Sequence, residues 1–407
     1  MSEYQILTVL AAFAFLYSVV ASKLETTPIN GAVVYLFAGL ACGSYGLGWV
    51  ELSVDGEGLK RLAEFTLALV LFSDSANSNL RVLRKVKGIP IRLLLIGLPL
   101  TIVAGCGLGY LTFEELTLFE IALLATMLAP TDAALGQAVV TNESVPASVR
   151  ETLNVESGLN DGICVPVLLV FLALVGGSTQ GNETTALIIR LPIEEIGIGA
   201  GVGVALASAG SFMVRTSGSH GWIAGSWVGI PVVALAMFCF ALSQWLGGSG
   251  FIGCFVGGLI FGGLTQSHEV KEKLLSGAEG AGNLLSMLTW FVFGAVVFGK
   301  GLQDVSWQVI GYALMSLTVV RILPVMFCLV GVKMRMDSKL FVGWFGPRGL
   351  ASIVFIVMVL EEKLPGSHML SAVVVWTVGL SIIAHGLSAV PLAKIYGNRV
   401  SGRGGVV

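Results

Sequence analysis

Two acidic residues stand just before an apolar stretch in the run Glu156-Ser157-Gly158-Leu159-Asn160-Asp161-Gly162. The 13 apolar residues that follow, 163–175, would extend only about 20 Å as a helix. A bilayer core is about 30 Å thick. If this segment crosses a membrane, the polar run must enter the membrane as well. The alternative is that Asn160-Asp161-Gly162 forms a turn and that residues 150–162 are a loop outside it.

The composition is that of a membrane protein. Hydrophobic residues make up 55% of the 407 residues and charged residues 12%, whereas soluble domains carry about 25% charged residues. A soluble globular protein is therefore excluded. The net charge is −2 and no basic block is present, which excludes a nucleic-acid binder. The six cysteines lie in apolar stretches without CxxC spacing, so we expect neither a disulfide framework nor a metal cofactor.

A count of apolar stretches long enough to span predicts an all-α polytopic protein that forms a single membrane domain, 1–407. Successive loops lie on alternate sides of the membrane, and those on one side hold fifteen basic residues whereas those on the other hold five. Because basic residues concentrate in cytoplasmic loops, we expect the N-terminus outside and the C-terminus in the cytoplasm. The thirteen predicted segments are 5–22, 29–49, 60–79, 89–112, 117–140, 150–175, 191–213, 222–246, 250–264, 279–299, 306–331, 339–360 and 370–396.

Two of these segments contain a proline and glycine break. Segment 5 is interrupted at Ala129-Pro130-Thr131-Asp132 and segment 12, seven segments later, at Gly346-Pro347-Arg348-Gly349. Backbone groups freed by such breaks are tolerated in a membrane where they are buried in protein or line a cavity. Matched breaks predict an inverted repeat of segments 1–6 and 8–13, with a transport site near the midplane. Taken singly, either break could be an ordinary membrane-helix kink.

Six ionisable side chains are candidates for positions inside the membrane, away from the ends of the predicted spans. Each would cost about 2.5 to 3.5 kcal/mol if unpaired. Four are acidic and two basic, so two negative charges remain after pairing, and protons or a small cation must neutralise them. A site that accepts both makes them compete. The six residues are Asp74, Asp132, Glu156, Asp161, Arg321 and Arg348.

Helical spacing sorts the polar run of segment 6 into two stripes. Asn154, Ser157 and Asp161 share one stripe, which offers oxygen ligands, and Glu156 lies with Asn160 on the other. Glu156 is placed to pair with Arg321.

The remaining polar residues have less specific expectations. Asp132 follows a proline break and can also cap a helix. Asp74 lies near the inner end of its segment and is expected at an entrance to the site. The four histidines fall mostly in or near loops, and a plain polar role is expected for each.

Three motifs carry a resemblance to a known family. They are Thr131-Asp132 in a broken segment, the Glu156 to Gly162 run, and Phe345-Gly346-Pro347-Arg348-Gly349. Together they resemble the sodium/proton antiporters of the NhaP and NHE kind, the electroneutral branch of the monovalent cation/proton antiporter superfamily. The resemblance covers essentially the whole chain.

The resemblance implies a homodimer in a prokaryotic inner membrane, with no cofactor. The core helices would be roughly 60–175 and 279–396, with two broken helices that cross, and the dimerisation helices roughly 5–49 and 191–264.

The resemblance also implies the roles of individual residues. Asp161 would exchange Na⁺ or Li⁺ for a proton, with Asp132, Ser157 and Thr131 as further ligands. Asn160 stands where electrogenic relatives carry a second aspartate, which implies one cation per proton. The residues with structural roles would be Glu156, Arg321, Asn160 and Arg348.

Three other functions remain open at this point. A K⁺/H⁺ antiporter would share the fold. A cation channel would line a pore with the same carboxylates, although broken helices and buried arginines favour a carrier. An intramembrane hydrolase could pair Asp132 with Asp161, but the sequence has no HExxH or GxGD motif. The expectation is a transporter and not an enzyme.

Overall fold

The structure is a computed structural model that describes residues 3–25, 27, 30–50, 57–78, 88–132, 135–175, 182–265 and 268–401. A helix occupies each of the thirteen predicted segments, which confirms the all-α class. The inward basic residues that lie outside the described part are Arg81, Arg84, Lys85, Lys87 and Arg403.

We number the helices by these segments. The ones without a proline and glycine break are α1 Glu3–Glu25, α2 Gly31–Cys42, α3 Glu57–Asn77, α4 Gly88–Thr112, α6 Ala147–Val175, α7 Asn182–Ser219, α8 Ile230–Trp245, α9 Gly250–Leu264, α10 Glu269–Gly301, α11 Trp307–Cys328 and α13 Ser367–Ser401. Helix α11 is interrupted at Thr318, whose backbone is not helical. The broken ones are α5, with parts α5a Leu118–Met127 and α5b Gln137–Val140, and α12, with parts α12a Met336–Trp344 and α12b Leu350–Glu361.

Eight of these helices are long and apolar enough to cross a membrane, by length and composition. The segment predicted at 29–49 is shorter than expected, because α2 ends at Cys42. Gly43 takes an extended conformation there and Gly48 has a positive φ of 67°, which turns the chain back on itself. The structure therefore corrects the end of this segment.

Segment 6 is one continuous helix of 29 residues, Ala147–Val175. At about 1.5 Å per residue it is long enough to cross the bilayer core with its polar run included. The turn at Asn160-Asp161-Gly162, which the sequence left open, is therefore wrong.

The helices pack as two bundles that meet along a seam. One bundle contains α2, α3 and α7 to α10, and the other contains α4 to α6 and α11 to α13. The resemblance implies that helices 3 and 10 belong to the core, and that grouping stays a prediction; in the structure α3 packs chiefly on α9 and α10. Across the seam, α3 packs on α12b and on α6. The site lies at this seam.

Exposed tryptophans lie at both ends of the helices. Trp245 and Trp307 are 82% and 90% exposed at one end of their helices, and Trp222 and Trp227 are 73% and 65% exposed just before α8 begins. Amphipathic indole rings concentrate at the two membrane interfaces. This distribution fits a protein that crosses the membrane several times.

Candidate functional site

The two broken helices cross at their breaks. The backbone N–H of Asp132 donates to the carbonyl of Pro347 over 2.8 Å. Arg348 Nη1 donates to the carbonyls of Ala129 (2.7 Å) and Pro130 (2.9 Å), just beyond the C-terminal end of α5a. A cation is favourable at that end of a helix, where the carbonyls leave partial negative charge.

The reverse contact neutralises the start of α12b. Asp132 Oδ2 accepts from the N–H of Leu350, the first residue of α12b, over 2.7 Å, and Oδ1 accepts from Leu135 N over 3.2 Å. Helix N-termini favour negative charge. Each broken helix therefore uses a charged side chain of the other to satisfy a freed end.

The crossing requires glycine at two positions of α12. A Cβ atom at Gly349 would collide with the carboxylate of Asp132, and one at Gly346 would collide with the guanidinium of Arg321. Both side chains reach the backbone of the break only because these positions lack a Cβ.

Helix α6 holds the break of α5 through Thr131. Asn160 donates from Nδ2 to Thr131 Oγ1 over 2.8 Å and accepts at Oδ1 from Thr131 N over 3.3 Å. The Ser157 hydroxyl donates to the carbonyl of Thr131 and accepts from Thr131 Oγ1. The structure thus brings together Thr131, Ser157 and Asn160, three of the predicted site residues.

Glu156 and Arg321 form a buried ion pair. Arg321 donates from Nη1 to Oε1 over 2.6 Å and from Nη2 to Oε2 over 2.9 Å, and both side chains are 3% exposed. This two-pronged geometry is the strongest arrangement for a guanidinium and a carboxylate. The pair links α6 to α11 inside the second bundle.

Asp161 lies one and a half turns further along α6 and has no such partner. The residue is 8% exposed, and its Oδ1 atom is buried without a hydrogen bond to any described residue. It borders a cavity at the seam whose other polar lining residues are Asp74, Asp132, Ser157 and Ser286. A buried carboxylate oxygen without a donor is costly unless it takes up a proton or a cation.

A second cavity shares two of its lining residues with the first. Asp132 and Ser157 line both cavities, and the second is otherwise bordered by residues such as Thr131, Leu153 and Phe345. Asp132 and Ser157 therefore border both spaces at the crossing.

Asp74 contributes to the first cavity from the opposite bundle. It lies on α3, whereas Asp161 and Ser157 lie on α6. One turn further along, Asn77 donates to Glu279 of α10 over 2.7 Å. An acidic group thus faces Asp161 across the seam, and the entrance role of Asp74 stays a prediction.

Two polar residues at the crossing escaped the sequence analysis. His385 lies in the middle of α13, inside the predicted segment 370–396, and is 1% exposed, although the sequence indicated only a plain polar role for it. Ser381 Oγ accepts from the N–H of Arg348 over 2.7 Å, and His385 lies next to it. Their spacing of four residues within an apolar helix was the signal, because it puts both on one face.

The assembled groups suit a small hard cation. Carboxylate and hydroxyl oxygens line the cavity beside Asp161, the Thr131 carbonyl accepts from the Ser157 hydroxyl, and oxygen ligands are those that hard cations prefer. The charges of Glu156 and Arg321 cancel within their own pair. The charge of Asp161 is not cancelled in this way, so a bound proton or a bound cation would neutralise it.

Comparison with known proteins identifies a family and a fold. The family profile described as "Sodium/hydrogen exchanger, transmembrane" matches residues 9–395. The chain is 24% identical over 396 residues to a K(+)/H(+) antiporter NhaP2 of Shewanella sp. (strain MR-4), covering 97% of this chain and 67% of that one. It is 24% identical over 263 residues to a Na(+)/H(+) antiporter of Schizosaccharomyces pombe, covering 61% of this chain and 55% of that one.

The same fold has been solved in an archaeal protein. The sodium proton antiporter MjNhaP1 from Methanocaldococcus jannaschii, at pH 8, superimposes with a TM-score of 0.80 at 21% identity, over 95% of this chain and all of that one. The chain spans about two thirds of the length of the bacterial relative named above.

Proposed function

The chain belongs to the sodium/hydrogen exchanger family, whose fold is that of cation/proton antiporters, and we propose that it exchanges Na⁺, and also Li⁺, for H⁺ at Asp161. It is a multi-pass membrane protein and a transporter of monovalent cations and protons. The choice of ion, the binding residues and the stoichiometry are our proposals.

One observation carries the proposal. Asp161 presents a buried oxygen without a hydrogen bond to the described residues, at a cavity lined by further oxygen atoms. A charged and empty carboxylate is costly at this depth. The site therefore holds either a proton or a cation at all times, and competition for one negative charge couples the two ions.

Three further residues complete the proposed ligand set. Asp132 and Ser157 line the cavity beside Asp161. Thr131 supplies its carbonyl oxygen, which already accepts from the Ser157 hydroxyl. Glu156, Arg321, Asn160 and Arg348 hold the crossing in place without binding the ion.

Movement of one bundle against the other would carry the site between the two sides. The ligands all lie on α5 and α6, inside the bundle of α4 to α6 and α11 to α13. The cavity opens along the seam with α3 and α10, to which Asp74 and Ser286 belong. We propose that the two bundles move against each other along this seam, since inverted-repeat transporters alternate access by moving one bundle against the other.

Electroneutral exchange is the simplest stoichiometry for this site. The amide of Asn160 bonds to Thr131 and adds no charge. One exchangeable carboxylate takes one proton or one monovalent cation. Faster exchange with K⁺ and valinomycin together than with K⁺ alone would instead indicate net charge movement, because valinomycin relieves the membrane potential that such movement builds up.

K⁺ is the second candidate cation, because the relatives from Shewanella are named K(+)/H(+) antiporters. Na⁺, Li⁺ and K⁺ bind the same oxygen atoms and differ in the cavity size and ligand field that suit them.

The orientation of the chain in the membrane and its oligomeric state are further proposals. We propose an outside N-terminus and a cytoplasmic C-terminus, based on the fifteen to five distribution of basic loop residues. We propose a prokaryotic inner membrane on the basis of the resemblance to the family. We also propose a homodimer. Its support is the resemblance to the family together with α1, an apolar helix whose most apolar stretch is only 6% buried within the protomer. Mass photometry of the solubilised protein would test the dimer.

The deciding experiment uses sealed vesicles that contain the purified protein and a pH-sensitive dye. A preformed proton gradient should dissipate on addition of Na⁺ or Li⁺ and persist without them. The same titration with K⁺ identifies the preferred cation. Ionic current without proton movement would indicate a channel and would overturn the proposal.

A further inference from the structure

A chain of three hydrogen bonds joins the two sides of the break in α12 through α13. The N–H of Arg348 donates to Ser381 Oγ over 2.7 Å, and Ser381 Oγ lies 3.2 Å from His385 Nδ1. His385 Nε2 lies 2.9 Å from the carbonyl oxygen of Trp344. Trp344 is the last residue of α12a, whereas Arg348 lies just before α12b.

The partners fix the direction of the two outer bonds in this chain and allow one direction for the middle bond when the imidazole is neutral. Ser381 Oγ accepts from Arg348, so its own hydrogen is free to be donated to Nδ1. A carbonyl oxygen only accepts, so Nε2 must carry a hydrogen toward Trp344. The neutral imidazole with its hydrogen on Nε2 satisfies all three contacts.

The charged imidazolium is the alternative, because Nδ1 also lies 3.0 Å from the carbonyl of Ser381. His385 is 1% exposed, and the charged groups that act on it are the guanidiniums of Arg348 and Arg321. A third buried cation there would be unfavourable. The neutral form therefore fits its surroundings better.

We propose that His385 and Ser381 are positioning residues of the ion site. They hold the two ends of the α12 break at a fixed separation. That separation aims Arg348 at the end of α5a and presents the N–H of Leu350 to Asp132. This inference rests on the proposed function for its transport readout, although the hydrogen bonds themselves can be tested without it.

Helix α13 supplies a matched control. Thr377 is also fully buried, but its hydroxyl donates to Val373 of its own helix over 2.7 Å. Thr377→Val removes a buried hydroxyl that does not reach the break, whereas Ser381→Ala removes one that does. The two substitutions disturb side-chain packing to a similar extent.

The experiment measures Na⁺-dependent exchange in vesicles for His385→Leu, His385→Gln, Ser381→Ala and Thr377→Val, with KM and maximal rate separated. Loss of a buried bond should raise the KM for Na⁺ about tenfold in His385→Leu and Ser381→Ala. His385→Gln should restore KM to within about threefold, because its amide nitrogen can donate to Trp344. Thr377→Val should match the parent.

The pH profile separates positioning from titration. Gln cannot titrate, so His385→Gln should keep the pH dependence of the parent. A flattened or shifted profile in His385→Gln would overturn the inference, and so would a parental KM in Ser381→Ala. If His385→Leu does not fold, Ser381→Ala and His385→Gln still test the inference.

A second readout does not depend on transport. Amide hydrogen exchange of the segment 344–352 should be faster in Ser381→Ala than in Thr377→Val, since the N–H of Arg348 loses its acceptor. Equal exchange in the two variants would contradict the bonding chain. If the parent showed no cation-dependent proton movement, the proposed function would fail while this comparison still held.

Discussion

Two buried carboxylates on α6 lie five residues apart and differ in every contact. Glu156 is 3% exposed and receives two hydrogen bonds from Arg321. Asp161 is 8% exposed and keeps an oxygen that no described residue binds. Burial alone therefore does not distinguish a structural acid from an exchanging one.

The difference lies in whether a charge is already neutralised. The carboxylate of Glu156 has a fixed counter-charge and cannot release it without a large cost. Asp161 faces a cavity with further oxygen atoms and can take a mobile counter-charge. Glu156 holds α6 to α11, and we propose that Asp161 is the ion site.

The largest effect is expected at Asp161. Asp161→Asn should abolish cation-dependent proton movement, because the amide carries no charge for the two ions to share. Its melting temperature should equal or exceed that of the parent, since an unpaired buried charge is removed. Vesicle assays and a thermal melt in detergent measure both. Residual Na⁺-dependent transport would show that Asp161 is not the residue at which the two ions exchange.

At Glu156 the expected loss is in stability. Arg321→Met should destabilise the protein by about 3 to 5 kcal/mol, because it leaves the carboxylate of Glu156 buried and unpaired. The double variant Glu156→Met with Arg321→Met should recover most of the loss in a thermal melt. An unchanged melting temperature in the single variant would remove the distinction between the two carboxylates.

Asp132 lies between these extremes, because it both caps α12b and lines the cavity. Asp132→Asn keeps an oxygen for the N–H of Leu350 but loses the charge. We expect a folded protein whose KM for Na⁺ rises about tenfold, in line with the loss of one charge-assisted contact. A collapse in yield with an unchanged KM in the remaining protein would make Asp132 purely structural.

The smallest effect is expected at a partly exposed ion pair across the seam. Lys60 of α3 contacts Glu361 at the end of α12b, and their side chains are 26% and 30% exposed. Lys60→Met should cost at most about 1 kcal/mol. Arg61→Met is the matched control, because Arg61 pairs with Glu64 on its own helix. If Lys60→Met lost as much stability as Arg321→Met, the exposure of an ion pair would not determine how much the pair stabilises this protein.

The sequence was sufficient for features that depend on local pattern. The breaks at Pro130 and Pro347 could be predicted because proline and glycine disrupt a helix wherever they occur. The polar half of α6 could be placed in the membrane because a span has a minimum length. Both results follow from distances along one helix.

Contacts between distant segments were not predictable in the same way. The carboxylate of Asp132 reaches the N–H of Leu350, 218 residues away, and this contact depends on how two breaks cross. His385 looked like a minor polar residue until Trp344 and Ser381 were placed beside it. The grouping of α3 with α9 and α10 likewise follows from packing and not from order along the chain.

The central claim is that a proton and a cation compete for Asp161, and proton release on cation binding tests it most directly. Na⁺ is added to the purified protein in weakly buffered detergent solution across a range of pH. We predict one proton released per Na⁺ bound where the carboxylate is protonated, an apparent affinity that weakens about tenfold per pH unit toward acid, and no release in Asp161→Asn. Cation binding by the parent without proton release would contradict the account.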